Sequence, residues 1–132
     1  MKRRPALVQL SREHHTALSL AHRIARASDA EATAALMATV ARVFGQELEP
    51  HFQAEEADLL PRLLAVGETT LVARTLDEHR TLRALAARIT AGDGASLKPF
   101  GAALNDHVRF EERVLFVTAE GVLPAEFLDQ PG

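Results

Sequence analysis

Two segments of this chain repeat a pattern that an ordinary helical core does not accommodate. His51-Phe-Gln-Ala-Glu55-Glu56 and His107-Val-Arg-Phe-Glu111-Glu112 both read H-x-x-x-E-E. A spacing of four places the His and the first Glu one turn apart on the same side of a helix. That side is the apolar one. His51 and Glu55 continue a stripe of Phe44, Leu48 and Leu59, and His107 and Glu111 continue one of Phe100, Leu104, Val114 and Leu115. The pattern therefore sends ionisable side chains into the core.

The surrounding sequence is strongly helical, rich in Ala, Leu, Arg and Glu with few β-branched runs. Four helices are expected. The first runs from Pro5 or Ala6 to Ser28, with Leu10, Ala17, Leu18, Ala21, Ile24 and Ala25 on its apolar side, and Pro5 suits its first turn. The second runs from Ala30 to Leu64, bent at Pro50, bent or ended early at Pro61, and closed by Gly67. The third runs from Thr69 to Ala91 with Val72, Leu76, Leu82, Ala86 and Ile89 inward, and Gly92-Asp93-Gly94 is a turn. The fourth runs from Ser96 to Glu120 and is capped by Gly121. Short connections between amphipathic helices imply an all-α, up-down-up-down antiparallel four-helix bundle. It would occupy residues 1–120, with a C-terminal tail over 121–132 that holds a short turn at Pro124–Leu128.

The other two helices also send a His inward. His14 lies between Leu10 and Ala17, and His79 between Leu76 and Leu82. His14 fits the stripe better than His15, because the positions three, four and seven beyond it are Ala17, Leu18 and Ala21. His15 and His22, seven apart, share another side and are expected at the surface or behind a ligand, with a second, weaker metal site as the alternative. The arginines Arg80, Arg83 and Arg88, and the pair Arg12 and Glu13, are expected to face water; Glu56 either hydrogen-bonds one of the inward His or does the same.

Burying six ionisable groups without partners costs several kcal/mol each. A domain holds only about 5–15 kcal/mol of net stability. Metal ions remove the conflict. Imidazole with carboxylate suits iron, manganese or zinc, and four imidazoles with two carboxylates suit two ions, each carboxylate bridging both. The candidate ligands are His14, His51, Glu55, His79, His107 and Glu111. Neither Glu-x-x-His nor His-Glu-x-x-His occurs, which disfavours a ferritin-type carboxylate site and a zinc protease.

Composition closes other routes. The 132 residues contain no Cys, so disulfides, thiolate metal sites, iron–sulfur clusters and thiol catalysis are excluded. The net charge of -3 disfavours nucleic acid as a partner, and the short cluster Lys2, Arg3, Arg4 reads as a disordered basic terminus. No apolar run is long enough for a membrane span or a signal peptide, so no membrane partner and a cytoplasmic location are expected.

The segments Glu13-His14, His51-Phe52-x-x-Glu55-Glu56, Glu78-His79 and His107-x-x-x-Glu111-Glu112 resemble the hemerythrin / HHE cation-binding family, in order and at similar intervals, over nearly the whole chain. The resemblance implies two iron ions, in preference to zinc or manganese, joined by an oxo or hydroxo bridge. It implies that His14 and His51 bind one iron, that His79 and His107 bind the other, and that Glu55 and Glu111 bridge. Oxygen-carrying members have a second His on the third helix, where this chain has Thr75. They also use a carboxylate five residues after the fourth-helix His, here Glu112, whereas many bacterial relatives use the fourth, here Glu111. The inward stripe favours Glu111. The function implied is binding or sensing of a small ligand such as O2, NO or peroxide, or of iron. A di-iron oxidoreductase acting on peroxide and a metal-free or zinc-bound helical interaction domain are the alternatives.

Overall fold

A computed structural model describes residues 2–131, and among them the chain is all-helical. The first helix, α1, spans Pro5–Arg26 with Pro5 at its start. Lys98 closes its far end, its Nζ donating to the carbonyls of Ile24, Ala25 and Ala27 at 2.7, 3.1 and 2.6 Å. The second, α2, covers residues 30–65; Asp29 caps it by accepting the Ala32 N–H at 2.7 Å. Gly67, at φ +92°, turns the chain into α3, Thr69–Thr90. Gly92, at φ +101°, begins the turn into α4, residues 97–122. A short α5, Ala125–Leu128, follows. No helix among these is long and apolar enough to cross a membrane.

Both prolines of α2 are absorbed without ending it. The chain stays helical through Pro50 and Pro61, and each follows a widened turn, Phe44–Leu48 and Glu55–Leu59. A third widened turn, Glu111–Leu115, has no proline behind it. In each the closing hydrogen bond reaches back five residues, from Glu49, Leu60 and Phe116 to the carbonyls of Phe44, Glu55 and Glu111. Such π-turns recur at functional sites. Here two of the three begin on the inward carboxylates.

The widened turn changes which residues face inward. After Glu55 the buried pair is Leu59 and Leu60, and after Glu111 it is Leu115 and Phe116. Val114, expected inward, is 40% exposed, because the extra residue in the turn rotates it outward. On α3, which has no widened turn, Leu76 also lies at the edge, 36% exposed. The buried line of α3 is Val72, Thr75, His79, Leu82, Ala86 and Ile89, so Thr75 takes the inward place. Ala25 is exposed, and Leu7 and Leu20 are buried on α1 instead. Gly121 does not cap α4; the helix continues through it to Val122 and ends where Leu123 turns extended.

Each long helix packs on the next in chain order, and α4 closes back on α1 along the most extensive of these contacts. The apolar core falls into two clusters. One gathers Ile24, Val40, Phe52, Leu82, Phe100 and Leu104; the other gathers Leu7, Leu63, Val72, Leu115 and Phe116, with Leu123, Phe127 and Leu128 sealing it. On α1 and α3 the inward His lies between the two clusters in sequence, and on α2 and α4 the change from the first cluster to the second falls within the His51–Glu55 and His107–Glu111 spans. The basic N-terminus is ordered rather than free. Arg3 pairs with Glu120 at 2.7 Å and with Glu112 at 3.3 Å, and Arg4 pairs with Asp129 at 2.7 Å.

The α1–α4 contact depends on Gly101. A Cβ there would lie 2.7 Å from Cγ2 of Ile24, a branched side chain with no free end to swing away. Gly101→Ala should therefore destabilise the protein by about 1–3 kcal/mol despite the better helix propensity of Ala. Gly121→Ala, where a Cβ meets nothing within 4 Å, should raise stability by about 0.5–1 kcal/mol. Paired chemical denaturation of the two variants measures both signs.

Candidate metal centre

The polar layer brings together all six side chains singled out in the sequence. His14, His51, Glu55, His79, His107 and Glu111 are each at most 4% exposed, and both carboxylates are fully buried. They form two groups of potential donors whose ligand atoms all lie within 4.8 Å of one another. The first is His14, His51, Glu55 and Glu111; the second is His79, His107, Glu55 and Glu111. Each group therefore has its own two imidazoles, and the two groups share both carboxylates. Glu55 reaches across them, with one oxygen 3.3 Å from His51 Nε2 and the other 3.0 Å from His79 Nε2. Glu111 does the same, 2.8 Å from His14 Nε2 and 3.1 Å from His107 Nε2.

The outer nitrogens are fixed by a second set of carboxylates. His51 Nδ1 lies 2.8 Å from Glu13, His79 Nδ1 2.7 Å from Glu56, His107 Nδ1 2.7 Å from Glu78, and His14 Nδ1 2.6 Å from Glu112. These contacts run from α1 to α2, α2 to α3, α3 to α4, and α4 back to α1. They close a ring in which each helix orients the histidine of the next. A proton held on Nδ1 by a carboxylate leaves Nε2 with its lone pair free, which is the tautomer a metal needs.

Of the inner atoms only His14 Nε2 and one Glu111 oxygen are hydrogen-bonded, to each other at 2.8 Å. Nε2 of His51, His79 and His107, both oxygens of Glu55 and Oε2 of Glu111 are buried with no hydrogen bond. Buried polar atoms are seldom left so. Lone pairs from nitrogen and oxygen converging on one space call for cations, and the donor set fits iron, manganese or zinc.

The electrostatics agree. Without a cation the two adjacent carboxylates must be neutralised by protons. Burial opposes protonation of the imidazoles, but the carboxylates of Glu111 and Glu55 outweigh it, pushing His51 up to about 11 and His79 to about 9. His107 is raised to about 10, burial being overcome by Glu111 and Glu78, and His14 is raised as well. Burial would lift Glu111, yet His107, His14 and His51 hold it well below the usual carboxylate range. Glu55 is raised, by burial and by the charge of Glu111.

The chain matches the family model described as the Hemerythrin HHE cation binding domain over residues 6–119. It belongs to that family. No curated protein and no solved structure matches it. The family is described as cation-binding, and each of the two donor groups in the polar layer could hold an ion.

Several residues take roles that their sequence positions did not reveal. Glu13 does not simply face water; it accepts from His51. Arg83 grips Glu49 and Glu56 instead of lying in solvent. Glu56 takes the hydrogen-bonding role of its two expected ones, and Glu112 sits in the outer ring while Glu111 occupies the centre. His15 and His22 are exposed and belong to neither donor group. Thr75 is buried beside the centre, its hydroxyl donating to the Leu71 carbonyl at 2.8 Å. A signal for the outer ring does exist. On all four helices a Glu stands directly next to an inward ligand, as Glu13-His14, Glu55-Glu56, Glu78-His79 and Glu111-Glu112. One residue is about 100° around an α-helix, so each such Glu points at the flank where a neighbouring helix lies.

The shared carboxylates give an asymmetric expectation. Glu111→Ala removes a donor from both groups and should abolish stoichiometric binding of two ions. His14→Ala touches one group and should leave the other ion in place. Metal analysis of the two purified variants measures the difference, and equal losses would contradict the shared-carboxylate geometry.

Proposed function

We propose that this protein is a non-haem di-iron protein of hemerythrin type that binds a small ligand such as O2, NO or peroxide at its metal pair. The observation that carries this reading is the sharing of the fully buried Glu55 and Glu111 between two otherwise separate pairs of histidines. Two ions held by common carboxylates satisfy the inner atoms that are otherwise unpartnered.

The architecture supporting it is an up-down-up-down antiparallel four-helix bundle. Along α1 and α3 the second apolar cluster comes before the polar layer and the first cluster after it; along α2 and α4 the order is reversed. That alternation is what antiparallel neighbours produce.

Each ion would have four protein donors, His14 and His51 or His79 and His107, plus one oxygen from each carboxylate. Iron accepts more than four, so positions remain for an external ligand. When bound, the iron pair supplies electrons and Lewis acidity to that ligand. The protein's own part is to present four neutral imidazoles, neutralise the cations with two buried carboxylates, and exclude water with the flanking apolar clusters. Phe52 stacks on His79 with ring centroids 4.1 Å apart at 16°, and Phe116 on His14 at 5.4 Å and 7°, so both rings are held by packing as well as by hydrogen bonds. Among the described residues no buried acid or base stands apart from the six donors. That favours ligand binding over turnover of a substrate.

Protein purified from iron-supplemented cells should carry about two irons per chain, the number of donor groups. Its near-ultraviolet oxo-bridge bands should shift on addition of azide. Zinc, a single ion or none would overturn the reading.

Proton linkage gives an independent check. In the metal-free protein the raised imidazoles contribute stability that is fully present below 6.5 and lost as pH rises through about 9 to 11. Metal binding requires the neutral rings, so it displaces protons at pH 7 and strengthens over the same window. The gap in melting temperature between metal-loaded and chelated protein should therefore widen from pH 7 to pH 10.

A further inference from the structure

Two arginines stand in matching relation to two of the candidate ligand histidines. Arg83, on α3, reaches α2 and grips Glu56 with both terminal nitrogens, at 2.9 and 3.1 Å. Its remaining contacts hold Glu49 at 2.7 and 2.9 Å. Glu56 in turn orients His79. The same guanidinium lies 5.6 Å from the ring centre of Phe52, the ring stacked on His79. Arg3, just before α1, stands in a similar place at the other donor group with a single-nitrogen contact to the ring acid, its Nη1 holding Glu120 at 2.7 Å. It bonds the Glu112 carboxylate and the Glu112 backbone carbonyl, and Glu112 orients His14. Its guanidinium lies 5.5 Å from Phe116, the ring stacked on His14.

Each arginine thus fixes one histidine twice, once through the acid on Nδ1 and once through the aromatic ring on its face. The two histidines belong to different donor groups, His14 to the first and His79 to the second. We infer that Arg3 and Arg83 are positioning residues, each governing the retention of one metal ion and not the other. This rests on the reading of the two donor groups as metal positions.

The physical argument is one of preorganisation. Arg83 forks onto Glu56 and so fixes both the place and the plane of that carboxylate, which a point charge cannot do. Arg3 instead ties the Glu112 carboxylate to the Glu112 backbone carbonyl through one nitrogen, its other terminal nitrogen being anchored on Glu120. A carboxylate held in either way fixes the ring plane of its histidine, and with it the direction of the Nε2 lone pair. The guanidinium over the aromatic ring holds the opposite wall. Losing the clamp lets the imidazole rotate away from the ion, so the ion leaves faster while the rest of the bundle is unchanged. Arg80 provides the contrast. It lies close to Arg83 in the chain but pairs only with exposed Asp77, at 3.0 Å, and touches no ring acid.

The test uses zinc as a redox-silent probe. Wild type, Arg83→Met, Arg3→Met and Arg80→Met are loaded with two equivalents, and release to a chromophoric chelator is followed in time. Met keeps the apolar stem and removes the fork. Removing an outer-layer partner typically costs 10–100-fold in affinity, and these arginines act one layer further out, so about a tenfold faster release is expected for one ion. Arg83→Met and Arg3→Met should accelerate different phases, leave the other phase unaltered, and be partly rescued by Lys. Arg80→Met should change nothing. Glu49→Gln, which removes part of the anchor of Arg83 alone, should move the same phase as Arg83→Met by a smaller factor; it serves if Arg83→Met does not fold. Acceleration of both phases alike, or of neither, overturns the inference while leaving the metal pair intact. Wild type that binds no zinc and no iron overturns the proposed function and the inference together.

Discussion

Everything in this bundle is arranged around two carboxylates that are wholly buried and share the same neighbours. Glu55 and Glu111 are each fully removed from water. Two like charges so placed repel, and burial costs each of them its hydration. Positive charge must be supplied from within. In the metal-free chain it comes as protons on the four histidines, which is why their affinity for protons is raised and that of Glu111 is lowered. Cations can supply the same charge with better geometry, because they also engage the inner nitrogen and oxygen atoms that have no hydrogen bonds.

The layers outside the centre follow from that need. A histidine can offer Nε2 to a cation only if its other nitrogen keeps the proton, and four carboxylates, one from each long helix, see to that. Those carboxylates are only partly buried, so they require their own anchors. Arg3 and Ser11 hold Glu112, Arg83 holds Glu56, Arg74 holds Glu78, and Gln9 holds Glu13. The charge therefore alternates outward from the centre, from inner carboxylate to imidazole to outer carboxylate to arginine at three of the four corners. Because every outer acid–histidine contact crosses between helices, the ring also ties the four helices to one another at the level where apolar packing is interrupted.

Much of this was legible in the sequence, for a definite reason. An ionisable residue on an apolar stripe is anomalous, and His14, His51, Glu55, His79, His107 and Glu111 are all anomalous in that way. The helix boundaries followed from Pro5, Gly67 and Gly92, whose backbone preferences act locally. What was not legible depends on a neighbouring helix or on helical phase. Glu13 and Glu78 carry only the signal of standing next to His14 and His79, and Arg3 and Arg83 are indistinguishable in one dimension from solvated charges. Val114 was assigned inward by a regular helical period, and the π-turn beginning at Glu111 breaks that period. Leu76 lost its inward place to Thr75, because steps of three and four through His79 choose the latter and hydropathy chose the former.

Thr75 shows how one such position bears on the chemistry. A buried hydroxyl in the donor layer could have competed for the cation or left a polar atom unpaired. It does neither, since its proton goes to the Leu71 carbonyl in its own helix, a common resting place for a helical Thr. The hydroxyl thereby avoids the cost of an unsatisfied group while contributing no strong ligand. The donor groups are left equal, two imidazoles and two shared carboxylates each. Any difference between the two positions must then arise outside the donors. The outer ring is where such a difference exists: the acids behind His79 and His107 are both held by arginines, whereas of those behind His14 and His51 only the former is.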